Sequence, residues 1–258
     1  MKILMCTDGS QAALKAARFL VRMRLVEQAQ LTLLGVVEEK APKDLINNNF
    51  LQIEEALGGM RPDWQRLVRR GALVNTIQQV ARSEPFDLVA LGEDKRHHRG
   101  LWLLKSPSPG ERLAKRLEMP LLVARDAPGE IRKVLFCSSA KDPSELTLRL
   151  GGSLIAPSGA HVGVMHVMSQ VALVFTRAEA DLRDSAETAI QRKTPEGKYL
   201  LHAMEILREN GVQSPIVPRI RHGLVLDEIV AEIRQGGYVL LVIGAHHRPG
   251  YNPQLEEL

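Results

Sequence analysis

The sequence predicts an α/β chain of two domains, each a parallel sheet covered by helices on both faces. Three observations predict it. Short apolar runs alternate with stretches at helical spacing, and such alternation packs as a parallel sheet between helices. The run Asp87-Leu88-Val89-Ala90-Leu91 is apolar without a polar beat, as a strand buried on both faces must be. The unit is also written twice along the chain, so one fold serves both halves.

Three matches carry the repeat. Lys2-Ile3-Leu4-Met5-Cys6-Thr7 aligns with Lys133-Val134-Leu135-Phe136-Cys137-Ser138 at an offset of 131. The same offset lays Leu31 to Val37 on Val162 to Met168. Val68-Arg69-Arg70-Gly71, followed by Ile77 and Gly92, aligns with Ile220-Arg221-His222-Gly223, Ile229 and Gly244 at an offset of 152. The second copy therefore holds 21 more residues (152 − 131) between its second strand and this segment. They fall in the charged stretch Val171 to Lys198, where Ala178, Leu182, Ala186 and Ile190 recur every fourth residue and predict a longer helix.

In the first copy the Lys2 to Thr7 strand leads through Asp8-Gly9-Ser10 into a helix over Ala12 to Arg24, with Asp8 or Ser10 as its cap. Leu31 to Val37 is the second strand. The polar stretch Glu38 to Asn49 follows, then a helix over Leu51 to Leu57 that Gly58-Gly59 ends. Arg66 to Arg70 is a strand, Leu73 to Arg82 a helix, Asp87 to Leu91 a strand, Glu111 to Leu117 a helix and Pro120 to Arg125 the fifth strand. Asp126-Ala127-Pro128-Gly129 links the copies, giving domains 1–126 and 132–258. After Gly92 the first copy runs 33 residues to Arg125, whereas after Gly244 the second runs 14 to Leu258, so the second domain is expected to lack its last helix and strand.

Composition sets the class. With 45% hydrophobic and 25% charged residues in 258, the chain is globular and can bury a core. Two cysteines, Cys6 and Cys137, exclude a disulfide framework and a cysteine zinc site. The longest apolar run, Val239 to Ile243, is far too short to span a bilayer, and no signal segment opens the chain, so the expectation is a cytoplasmic protein without membrane contact. A net charge of +4 and a pI near 9.2 are too small an excess to argue for nucleic acid.

These segments resemble the universal stress protein family in tandem form. The residues that carry the resemblance are the strand ending Thr7-Asp8-Gly9-Ser10, the Leu31 to Val37 strand, Arg69-x-Gly71 before a helix, Asp87 to Gly92, and Met119 to Arg125. The resemblance implies two flavodoxin-like domains (Rossmann-like, adenine nucleotide alpha hydrolase-like) with strand order 3-2-1-4-5 and a ligand crevice at the carboxyl ends of strands 1 and 4. Nucleotide-binding members carry Gly-x2-Gly-x9-Gly and then Ser or Thr after strand 4, where glycines let backbone amides reach phosphate. Here Gly92 and Gly100 are eight apart instead of six, and Pro107-Ser108 falls on the Gly-Ser pair, keeping the hydroxyl but not the glycine. Asp8 matches the adenosine-contacting Asp, and it is equally readable as a helix cap. In the second copy Gly244 and Gly250 keep the six-residue spacing with His247 at the middle glycine and Arg248 beside it, but Ser139 replaces the strand 1 Asp.

What the resemblance implies is a non-enzymatic regulatory protein linked to stress, with ATP or another adenine nucleotide, and Mg with it, held in degenerate sites. The first would be lined by Asp8, the Val36-Val37 backbone, Gly92, Gly100 and Ser108, the second by Gly244, His247, Arg248 and Gly250. The alternative is a nucleotide-free interaction module of the same fold. The basic runs Lys95 to Arg99 and His246 to Arg248 read either as anion ligands replacing backbone amides or as solvated loops. Adjacent histidines without a matched acidic or thiol partner do not make a metal site. No Gly-x-Ser-x-Gly elbow, phosphate loop or placed general base supports a hydrolase. The family's pairing of fifth strands across a dyad implies a homodimer through the Pro120 to Arg125 strand.

Overall fold

The computed structural model describes residues 1–37, 43–94, 107–125, 129–137, 144–168 and 185–244. The chain divides into two compact units, Met1–Gly129 and Glu130–Leu258.

The first unit is one parallel sheet in the order β3-β2-β1-β4-β5, from β1 (Lys2–Thr7), β2 (Gln30–Val37), β3 (Gln65–Arg70), β4 (Leu88–Gly92) and β5 (Leu121–Ala124). Its helices are α1 (Ala12–Arg22), α2 (Lys43–Ala56), α3 (Leu73–Ser83) and α4 (Pro109–Ala114). Under α3 and α4, Leu4, Cys6, Leu34, Val36, Val89 and Leu91 of the strands meet Val74, Ile77 and Val80 of α3, Leu113 of α4, and Leu117 just beyond it. Each residue there leaves water for an apolar contact, which is the main drive for forming the layer.

Three elements differ from expectation. Neither Asp8 nor Ser10 caps α1: Gln11 holds the cap position without a side-chain capping bond, and the Asp8 carboxylate folds back to accept the Ser10 N–H at 2.9 Å. The second helix starts at Lys43 rather than near Leu51, because Ile46, Phe50 and Ile53 make a buried stripe that the three asparagines hide. Asn49 is itself internal, accepting the Thr7 hydroxyl at 2.6 Å and donating to the Ser10 carbonyl at 3.0 Å. The last helix begins two residues early, at Pro109, because Ser108 and Glu111 form a capping box and proline suits the first helical position.

Among the described residues the second unit repeats the order of the first four strands, β8-β7-β6-β9, from β6 (Lys133–Cys137), β7 (His161–Met168), β8 (Ile216–His222) and β9 (Leu240–Ile243). Among the described residues β9 is an edge. Its helices are α5 (Ser144–Ile155), continued by a short 3-10 turn, α6 (Ala186–Gln191), α7 (Pro195–Glu209) and α8 (Val225–Gly236). Of the longer helix expected within Val171 to Lys198, residues 171–184 lie outside the described ones, and the rest is broken between α6 and α7. Lys193 takes φ 55, Thr194 caps the next helix through the Gly197 N–H, and Pro195 cannot continue the one before.

Candidate functional site

In a sheet of this order the crevice opens at the carboxyl ends of β1 and β4, where neighbouring connections leave in opposite directions. Asp8 follows β1 and is exposed, and its carboxylate accepts the turn bond from the Ser10 N–H. The β1–α1 loop below it is held rigidly: Gly9 sits at φ 87, and its N–H donates to the Thr7 hydroxyl at 2.9 Å. Val36 and Val37 end β2, both buried. Their backbone is already engaged, because Val37 O accepts the Gly71 N–H at 3.0 Å. Gly71 holds φ 143, which admits no ordinary side chain, and Gly223 with Met168 O repeats the arrangement in the second unit.

Gly92 lies under the first turn of α1, and a Cβ there would run into the Ala12 carbonyl. Packing of helix on strand therefore requires this glycine, with or without a ligand. At Gly244 a Cβ would meet a side chain of α5 rather than its backbone, the Thr147 hydroxyl at 2.6 Å. Gly100, His247, Arg248 and Gly250 lie outside the described residues.

Ser108 is buried and its hydroxyl is committed on both sides. It accepts the Glu111 N–H at 3.1 Å and donates to the Glu93 carboxylate at 3.2 Å. Glu93 is the residue sequence reasoning missed. It follows Gly92 directly, is only 8% exposed, and its other oxygen takes the Gly110 N–H of the first α4 turn at 2.5 Å. Arg125, after β5, adds its Nε to the same carboxylate at 3.4 Å. One backbone amide, one hydroxyl and one guanidinium thus converge on an anion that the chain itself supplies.

Lys15 closes the neighbouring side. From α1 its ammonium reaches Asp94 at 2.8 Å and the carbonyls of Glu93 and Arg125 at 3.3 Å each, across the ends of β4 and β5. The signal for this plug was present as a Ser-x-x-Glu capping box and an acidic residue straight after the strand. Elsewhere the chemistry is quiet. Burial pushes the Cys6 thiol far up, and burial with the nearby Glu232 charge pushes Cys137 up to about 12, so both stay protonated and unreactive. Among the described residues no group of three or more histidine, cysteine, aspartate or glutamate side chains is placed to hold a metal, and no helix is long and apolar enough to cross a membrane.

Residues 1–125 match the model of the universal stress protein family. Among solved structures, the chain is similar to a universal stress protein from Archaeoglobus fulgidus, with 14% identity, a TM-score of 0.61, and coverage of 95% of this chain and 86% of that one. It is similar also to a functionally unknown protein from Pseudomonas aeruginosa, with 18% identity, a TM-score of 0.60, and coverage of 97% and 84%. At such identities the likeness is one of fold, and it extends over both units. Among curated proteins none matches the chain.

Proposed function

Residues 1–125 belong to the universal stress protein family, and from that premise we propose that the chain is a non-enzymatic, stress-linked regulatory protein of two such domains, working as an interaction module without bound nucleotide. The observation that carries this reading is the Glu93 carboxylate, seated on the Gly110 amide and the Ser108 hydroxyl. In the nucleotide-binding pattern that hydroxyl serves phosphate. A phosphate brought here would have to displace a buried carboxylate and meet its charge, and like charges at close range oppose each other strongly in a low dielectric. The Lys15 contacts with Glu93, Asp94 and Arg125 fill the adjoining mouth.

The crevice reading of Asp8, Val36, Val37, Gly92, Gly100 and Ser108 for ATP and Mg, with Gly244, His247, Arg248 and Gly250 in the second unit, is the competing proposal. Asp8, exposed at the end of β1, is the feature that favours it. Native mass spectrometry of freshly purified protein separates the two. The expected spectrum shows the bare chain; a mass increment of an adenine nucleotide, removed by denaturation, would overturn the nucleotide-free reading. Homodimer pairing through the Leu121–Ala124 edge is part of the same proposal, since two of the four side chains there are only half-buried.

A further inference from the structure

The carboxyl ends of β7 and β8 carry three side chains that share one face of the second sheet. Side chains along a strand alternate between its faces. Met165 and Val167 of β7 pack with Ile229 and Ile233 of α8, and Arg219 and Arg221 of β8 reach Glu232 of the same helix. His166 and Met168 therefore project from the opposite face, as do Ile220 and His222. On that face the His166 ring lies against Tyr199 of α7, with centroids 5.5 Å apart. The register sets His222 beside Met168 and Ile220 beside His166. Two residues of one strand and one of its neighbour thus form a triangle, with backbone spacings of about 5, 7 and 8 Å. All three side chains are half-buried.

The fold itself does not require these residues. At the repeat's offsets of 131 and 152 the first unit has Gly35, Val37 and Arg70 in their places. A Cβ at Gly35 would run into Ile46 and Phe50 of α2, so there a helix fills the space in which the second unit holds an imidazole. The second unit covers this face instead with α7 against β7 and α6 against β8. His222 Nε2 is buried and makes no hydrogen bond among the described residues. A buried ring nitrogen in that condition is costly to keep. A metal ion is a partner that neutral imidazole takes readily.

We propose that His166, Met168 and His222 form a binding site for one soft monovalent cation, Cu(I), held by two imidazoles and a thioether. The donor set selects the metal. A thioether is a poor ligand for hard magnesium or calcium and favours Cu(I), which imidazole also binds. None of the three donors is anionic, so a divalent ion would keep more uncompensated charge in this half-buried place than a monovalent one. Met168 is the longest and most flexible of the three side chains, suited to close the gap between the two rings. Packing on Tyr199 orients the His166 ring. Burial keeps the competing thiols of Cys6 and Cys137 away from the ion in the folded chain. The site is independent of whether the first unit takes nucleotide.

Anaerobic titration of the full chain with Cu(I) against the coloured chelator bicinchoninate tests it, with far-UV circular dichroism as the folding check. The expected result is one Cu(I) per chain withdrawn from the chelator. Met168→Val and His222→Arg each install the first unit's residue, and each should weaken binding at least about tenfold. Replacing His97 and His98, or His246 and His247, with alanine should leave the affinity unchanged. The wild-type chain also gives a reading that needs no variant, because the ring-nitrogen resonances of His166 and His222 should shift with the bound ion. A chain that takes no Cu(I) from the chelator, an affinity that Met168→Val leaves intact, unshifted His166 and His222 resonances, or tighter binding of Zn(II) than of Cu(I) would overturn the proposal.

Discussion

Val80 and Glu232 hold the same place in two copies of one fold, separated by the repeat's offset of 152. Around Val80 the layer under α3 is apolar, with Phe86 and Leu67 beside it. The matching residues around Glu232 are Tyr238 and Arg219, with Arg221 as the third partner. Glu232 is 3% exposed, accepts from Arg221 Nε at 3.0 Å and from the Tyr238 hydroxyl at 3.2 Å, and lies 3.6 Å from Arg219. The first unit completes its core with β5 and α4, while the second, among the described residues, has four strands and holds a hydrogen-bonded charge cluster in that place. A fold of this kind thus tolerates either solution, provided each buried polar group finds its partners.

Exchanging the two solutions should be unequal. Val80→Glu buries a carboxylate where Phe86 and Leu67 replace Tyr238 and Arg219. Of the three partners of Glu232 only Arg221 has an equivalent there, Arg69. The change is expected to cost the first unit about 3–5 kcal/mol. Both tryptophans, Trp64 and Trp102, lie in that unit, so the urea midpoint of tryptophan fluorescence reads the loss without interference from the second. Glu232→Val should cost the second unit less, about 2 kcal/mol, because the side chains of Arg219 and Arg221 are 48% and 37% exposed and can return to water. Its signature is a lowered midpoint by circular dichroism with tryptophan fluorescence unmoved.

Glu93→Ala comes next. It leaves the Gly110 amide and the Ser108 hydroxyl without their carboxylate, and about 1–2 kcal/mol should be lost from the first unit. Hydrogen exchange should localise the change to the start of α4. The smallest effect separates the thiols. Neither Cys6 nor Cys137 should react with a neutral disulfide reagent in the folded chain. On adding urea Cys137 should label first, because it lies in the unit with the thinner core and is 8% exposed against 0%.

The strands were legible because a parallel strand covered on both faces has to be written as a continuous apolar run, as Ile3 to Cys6, Leu31 to Val37 and Leu88 to Leu91 are, while their order came only from the resemblance to the universal stress protein family. The repeat then carried the first sheet's order onto the second. Helix starts were less legible. Asn47 to Asn49 read as a loop, because a polar residue that turns inward to bind Thr7 cannot be told in sequence from one that faces water. The candidate site was read from its glycines and its serine, but their use was not. Glu93 meets Ser108, Gly110 and Arg125, which are 15, 17 and 32 residues away in sequence. The Ser-x-x-Glu box and the acidic residue after β4 mark two of the participants, but only the closed sheet brings them together and fills the anion seat.

The central claim is that the first unit seats its own carboxylate where a nucleotide's phosphate would need to sit. Isothermal titration of the folded full-length chain with ATP and magnesium tests it most directly. The account predicts no binding heat up to millimolar nucleotide. A saturable heat with one nucleotide per chain, lost on replacing Asp8 with Ala, would contradict it and restore the crevice as a working site.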